Sequence, residues 1–443
     1  MLKPHEERVY SDRRIRAGRR ACFAVLFALQ FAAWLLLIAT LCSKPAFCAG
    51  ESAPRPVVVG YVFPQNDLLQ PGQIDARRLT RINYAFADLQ QGLIVNGHAS
   101  DDANLAALVA LKRQNPSLTV LISVGGWFGS GGFSDLALSA ASRAVFIRSA
   151  DDYVERHQLD GLDLDWEYPG VPGAGNRFRP EDRQNYTLLL TGLRQSFDSL
   201  QKQLHRRLYL TIAAAASSEF IEHTEMDKVA KAVDTVNLMA YDYYEPPDDR
   251  LTGNHAPLFT DPADPKQVSA DRSVRELEQA GVPAAKIVLG IPFYSRAWSK
   301  VPNIDNGLFQ PGKSAPPEDA PVGDAVVALA NQGFVRWWDA AAAAPSLYNS
   351  AAKVFVTYED PQSIAEKCRY VLENRLAGVM FWNYEDDPAG TLLDAIDAGL
   401  GIGPGAQSGS TGPRPRGTEG PTAASPPSAP PSSALPPYAT APR

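Results

Sequence analysis

The chain has 443 residues, 45% of them hydrophobic, and a formal net charge of -7 at pH 7. That length supports one large core or two modest ones, and the mild acidity argues against the basic face that a nucleic-acid partner demands. Cys22, Cys42, Cys48 and Cys368 are the only cysteines, and the 6 histidines lack metal-ligand spacing, which speaks against a disulfide framework in the body and against a zinc site.

The N-terminus carries Arg13, Arg14, Arg16, Arg19 and Arg20, then the uncharged run ACFAVLFALQFAAWLLLIATLC at 21–42. A basic region followed by an apolar run is an export signal, although usual signal cores are only about 7–15 residues long. This run approaches the roughly 20 residues that span a bilayer. Ala46, Phe47 and Cys48 offer a cleavage site. Residues 1–49 therefore read as a cleaved signal or a retained anchor. Both place the body outside, because the arginines stay inside. Membrane contact is confined to 21–42.

Eight short runs rich in β-branched and aromatic residues follow: VVVGYV (57–62), INYAFA (82–87), TVLISVGG (119–126), GLDLDWE (161–167), LYLTIAAA (208–215), TVNLMAYD (235–242), KIVLGIPF (286–293) and GVMFWNY (378–384). Near-continuous apolar runs fit strands buried on both faces of a parallel sheet. Helix-periodic stretches fill several gaps, among them RAVFIRSADDYVERH and DRQNYTLLLTGLRQSFDSLQKQL. Strand–helix alternation repeated eight times predicts an α/β fold, a (β/α)8 barrel over 56–402. The gap before the last run is too long for a structureless loop. It predicts a small α+β lobe at 298–357, in which Trp337 and Trp338 either line the cleft or, the favoured reading, fill the lobe's small core. Cys368 reads as a small buried hydrophobe. From 403 to 443 the chain is rich in Pro, Ser, Gly and Ala, which predicts disorder.

The fourth run carries Asp160, Asp163, Asp165 and Glu167. Side chains alternate along a strand, so Asp163, Asp165 and Glu167 share one face while Leu162, Leu164 and Trp166 take the other. In a barrel the acids face inward and climb toward the C-terminal mouth, where barrel enzymes keep their chemistry. Like charges in a low-dielectric site raise at least one pKa. The uppermost group should then hold a proton near neutral pH, as a general acid must. Asp160 has the opposite parity and precedes the strand. A calcium site is the competing reading, but its ligands converge from loops rather than along one strand.

DGLDLDWE resembles the D-x-x-D-x-D-x-E signature of family 18 glycoside hydrolases, the chitinases. SVGGW (123–127), MAYD (239–242), IPFYSRAW (291–298) and GVMFWNYEDD (378–387) resemble further family segments, in the right order. The long gap is similar to the insertion domain of the bacterial and animal subfamily. Ser295 replaces a frequent Gly, and NHAP at 254–257 inverts a common HNAP.

The resemblance implies hydrolysis of β-1,4-linked N-acetylglucosamine polymers, with the substrate's own acetamido group as nucleophile, an exception among retaining glycosidases. Glu167 is then the acid, Asp165 the group that orients the acetamido N–H, Asp163 its modulator, and Tyr241 a partner of the acetamido oxygen. Gly125, Gly126, Trp127, Phe128, Tyr168, Met239, Ala240, Asp242, Tyr294, Arg296, Trp382, Tyr61 and Phe86 match cleft positions, and the Gly pair is expected to let the backbone approach ligand. No cofactor or metal is implied, and a monomer is expected. Peptidoglycan, the chitobiose core of an N-glycan, and a chitin-binding protein without activity remain open alternatives to chitin.

Overall fold

The computed structural model describes residues 55–402 except 317 and 319. The apolar run at 21–42 and the tail from 403 lie outside the described residues. Among those described, no helix is long and apolar enough to cross a membrane.

The strands begin with β1 (Val57–Val62), β2 (Arg81–Gln90), β3 (Leu93–Asn96), β4 (Thr119–Gly125) and β5 (Gly161–Asp165). They continue with β6 (Tyr209–Ala215), β7 (Thr235–Met239), β8 (Ile287–Pro292), β9 (Arg296–Ser299) and β10 (Lys313–Ser314). The last four are β11 (Val335–Asp339), β12 (Ala344–Asn349), β13 (Val354–Thr357) and β14 (Gly378–Trp382). One sheet runs β1-β14-β8-β7-β6-β5-β4-β2, all parallel, and the β1–β2 pairing closes it into a barrel. Each of the eight predicted runs supplies one barrel strand. Strand β3 pairs antiparallel with the far end of β2 and extends the rim.

Outward-facing residues such as Val58, Ile82, Val120, Leu162, Leu210 and Val236 are completely buried beneath the helices, in the molecule's largest apolar layer. The principal helices are α1 (Asp101–Ala110), α2 (Ala140–Arg156), α3 (Asp182–Leu204), α4 (Ala270–Gln279), α5 (Pro361–Glu373) and α6 (Thr391–Leu400). Local chemistry sets where they start. Ser139 caps α2 through the Ser142 N–H, and Asp360 caps α5 through the N–H groups of Gln362 and Ser363, with Pro361 at the first position. Cys368 of α5 is buried, and burial pushes its thiol up to about 12.

The barrel interior is divided. Val59, Tyr61, Ala85, Val288 and Met380 form a small apolar cluster on one side. Opposite, the register aligns Ser123 with Asp163 and Asp163 with Thr211. At the lower mouth Asp160 accepts a hydrogen bond from the Val120 N–H at 2.8 Å and pairs with Lys112 and Arg206. It is a structural peg at the opposite end from Glu167.

Between β8 and β14 a second, antiparallel sheet runs β10-β9-β13-β12-β11. Its first strand opens at Arg296, two residues before the expected lobe. Ala297, Leu329, Phe334, Leu347, Val354, Val356 and Tyr358 fill its core. Trp337 and Trp338 do not, which corrects the expectation. They lie on the edge strand β11: Trp337 is 42% exposed, and Trp338 sits under the Arg336 guanidinium, 5.4 Å from ring centroid to carbon.

Candidate active site

Asp163 and Asp165 project from β5 into the polar side of the barrel, and Glu167 follows two residues past its end. A small clasp fixes that exit. Ser130, buried in the turn after β4, donates to the Asp165 carbonyl at 2.7 Å and accepts from the Glu167 N–H at 3.3 Å. Gly125, at φ 122, lies so close to β5 that a Cβ would sit 2.1 Å from the Asp165 carbonyl oxygen. A Cβ on Gly126 would meet the Phe86 ring at 2.8 Å. The glycine pair thus lets β4 close on β5 and Phe86.

The two aspartates have opposite surroundings. Asp163 is fully buried and accepts from Tyr61 O–H at 2.8 Å, Ser123 O–H at 2.9 Å, Thr211 O–H and Asn237 Nδ2 at 3.0 Å. Asp165 is 3% exposed, and its Oδ1 has no hydrogen-bond partner. Burial pushes Asp165 well above the usual carboxylate range, and the charges of Glu167 and Asp163 push it further. Burial also raises Asp163, but Thr211, Tyr61 and Ser123 oppose the rise. Four donors favour the anion, and their absence disfavours it. Both carboxyls are raised, Asp165 further, so of the two Asp163 is the one placed to carry the charge and Asp165 the one placed to hold the proton.

Glu167 is half-buried at the rim. Burial, then the charges of Asp242 and Glu245, push its carboxyl up to about 8. Asp242 itself stays charged. Burial works to raise it, but His255 and Arg296 outweigh burial and hold it below the usual range. Tyr294 O–H donates to its Oδ2 at 2.7 Å and Arg296 Nε to its Oδ1 at 2.8 Å, while His255 Nδ1 stands 3.8 Å away. Arg296 also reaches Glu245 at 2.7 Å. Tyr241 stands among the acids. After burial, the charges of Asp165, Asp242, Glu167 and Asp163 raise its hydroxyl.

An aromatic wall closes the other side. Trp382 at the end of β14 stacks on Phe86, with centroids 5.5 Å apart and planes at 22°, and lies 5.4 Å from Phe63. The Ala85–Phe86 and Trp382–Asn383 peptide bonds are cis. Among the described residues, no group of three or more His, Cys, Asp or Glu is placed to hold a metal ion.

The sequence model of Glycosyl hydrolases family 18 matches residues 57–387. The chain belongs to this family. It is 34% identical over 434 residues to Chitinase A1 of Niallia circulans, covering 83% of this chain and 61% of that protein. With Chitotriosidase-1 of Mus musculus the identity is 30%, over 73% of this chain and 70% of the relative. A solved family 18 N-acetylglucosaminidase from Paenibacillus barengoltzii superposes with a TM-score of 0.72 at 41% identity, covering 78% of this chain and 99% of that one.

Against the positions this family 18 chain was expected to place in a cleft, the structure divides the residues. Asp163, Asp165, Glu167, Tyr241, Asp242, Tyr294 and Arg296 converge. Trp382, Phe86 and half-buried Met239 adjoin them. Trp127 and Phe128 follow β4 at the rim, 50% and 89% exposed. Three expected cleft residues are buried instead. The Tyr61 hydroxyl is spent on Asp163. Tyr168 donates to the Trp127 carbonyl at 2.7 Å and supports that ring from its edge. Ala240 packs in the layer outside the barrel, as its even parity with Val236 and Leu238 dictates. Sequence reasoning missed Ser130, Phe63, Glu245, Asn237 and His255. Only the inverted NHAP pair carried a signal, for His255.

Proposed function

We propose that this chain hydrolyses β-1,4 links between N-acetylglucosamine units of chitin or chitooligosaccharides, with retention and through an oxazolinium intermediate. Glu167 gives its proton to the glycosidic oxygen. The substrate's acetamido carbonyl attacks the anomeric carbon, and water then opens the ring with Glu167 acting as base. Asp165 meets the acetamido N–H, Tyr241 its carbonyl oxygen, and Trp382 the apolar face of the sugar. The observation that carries this reading is the buried, unpartnered Asp165 oxygen next to a glutamate that keeps its proton to about pH 8. No side chain among the described residues satisfies it, which leaves it free to accept from a substrate N–H. The names of the similar chitinases support chitin as the polymer, and the similar N-acetylglucosaminidase supports action on short oligosaccharides. The arginine-flanked run at 21–42 supports export.

Purified protein is expected to release small sugars from chitin oligomers, and Glu167→Gln to lose at least about a hundredfold in kcat. Equal cleavage of a fully deacetylated oligomer would rule out the neighbouring-group route.

A further inference from the structure

The floor of the barrel holds a cation with no ion-pair partner among the described residues. Arg81 opens β2, points inward and is 5% exposed. Its Nη1 donates to Thr235 Oγ1 at 2.9 Å, its Nε has no partner, and its guanidinium carbon lies 5.4 Å from the Tyr209 ring centroid. An unmatched buried charge is strongly unfavourable, so its compensation must be sought.

Two carboxylates act on it, Asp163 and Asp234. Asp234 is already taken. It pairs with Arg207 at 2.7 Å and Arg194 at 3.4 Å, and it accepts from the Leu210 N–H at 2.9 Å. Asp163 has the complementary lack: its four hydrogen-bond donors are all neutral. A relay connects the two. Thr235 O–H donates to Asn237 Oδ1 at 3.4 Å, and Asn237 Nδ2 donates to Asp163 Oδ1 at 3.0 Å and to the Tyr61 oxygen at 3.1 Å.

We propose that Arg81 is the counter-charge of Asp163, a positioning residue that works through Thr235 and Asn237 to fix the column's negative charge on Asp163 and leave the proton on Asp165. The inference rests on the function proposed above only for its consequence in turnover. The other titratable groups facing this column are Tyr61 from β1, Asp165 from β5, Tyr186 from α3, and Tyr241 and Glu167 at the rim. None of them supplies a positive charge. Without Arg81 the column takes up a second proton at higher pH, and no negative charge remains to face a developing cation.

The test uses the full chain and three variants, Arg81→Met, Arg81→Lys and Thr235→Val. In kcat against pH on chitin oligomers, Arg81→Met is expected to move the acid limb up by about one pH unit, a tenfold loss on that flank. Arg81→Lys restores most of it, and Thr235→Val shifts it the same way by less. A second readout needs no activity. Burial raises Asp163, so its charge exists only above that raised value, and the attraction to Arg81 fades as pH falls through it. The Tm deficit of Arg81→Met is therefore largest at neutral pH and shrinks on acidification.

A pH-independent deficit, an unmoved acid limb, or Arg81→Lys no better than Arg81→Met overturns the proposal. If Arg81→Met does not fold, Thr235→Val decides by the same two measurements. A wild-type protein that cleaves no chitin oligomer sinks the proposed function, and the Tm comparison still decides Arg81.

Discussion

The floor around Asp163 and the rim around Glu167 solve the same problem, a buried acid, in opposite ways. At the floor, four strands each bring a short neutral donor to one carboxylate, and the charge stays. At the rim, Asp165 receives no bond on its Oδ1, and Glu167 faces the negative charges of Asp242 and Glu245, so the proton stays. The contrast teaches that one strand places its acids, while the neighbouring strands decide which is charged.

The sharpest way to break this comparison is to remove one acid at a time. Asp163→Ala leaves four buried donors without an acceptor, and the expected loss of stability is about 3–5 kcal/mol, measured by denaturant unfolding. A loss below about 1 kcal/mol would mean that the floor is not organised around the anion. Asp165→Ala orphans nothing. Its stability is expected within about 1 kcal/mol of the parent, while kcat on a chitin oligomer falls by a hundredfold or so.

The rim is tested by pH. As the proposed general acid, Glu167 would need its proton, which it loses as pH rises through about 8, so kcat/KM should fall above that value. Glu245→Gln removes one of the negative charges facing Glu167, and the alkaline limb should move down by a fraction of a unit. An upward shift would contradict the assignment. The smallest effect is expected from Tyr61→Phe, which deletes one of four donors: about 1 kcal/mol in unfolding, with turnover little changed.

Much of this molecule is readable along the chain. The eight barrel strands announce themselves because a strand buried on both faces must be apolar almost throughout. The acids could be assigned a face because alternation along β5 is local geometry. The donors to Asp163 were not readable. Tyr61, Ser123, Thr211 and Asn237 come from four strands, with sequence separations from Asp163 of 102, 40, 48 and 74. Polar residues at inward positions look alike until register pairs them. Trp337 misled for a related reason: an aromatic in a short strand reads as core, and nothing local reveals that its strand lies at an edge.

By itself the sequence determined the barrel, the inward column of three carboxylates and its place at the C-terminal mouth, because periodicity and parity are properties of neighbours along one chain. Only the tertiary structure decided which carboxylate is charged, which tyrosines face the cleft and which are spent on support, and where an unmatched arginine finds its compensation. Those outcomes depend on burial and on donors from distant strands, and both exist only once the barrel has closed.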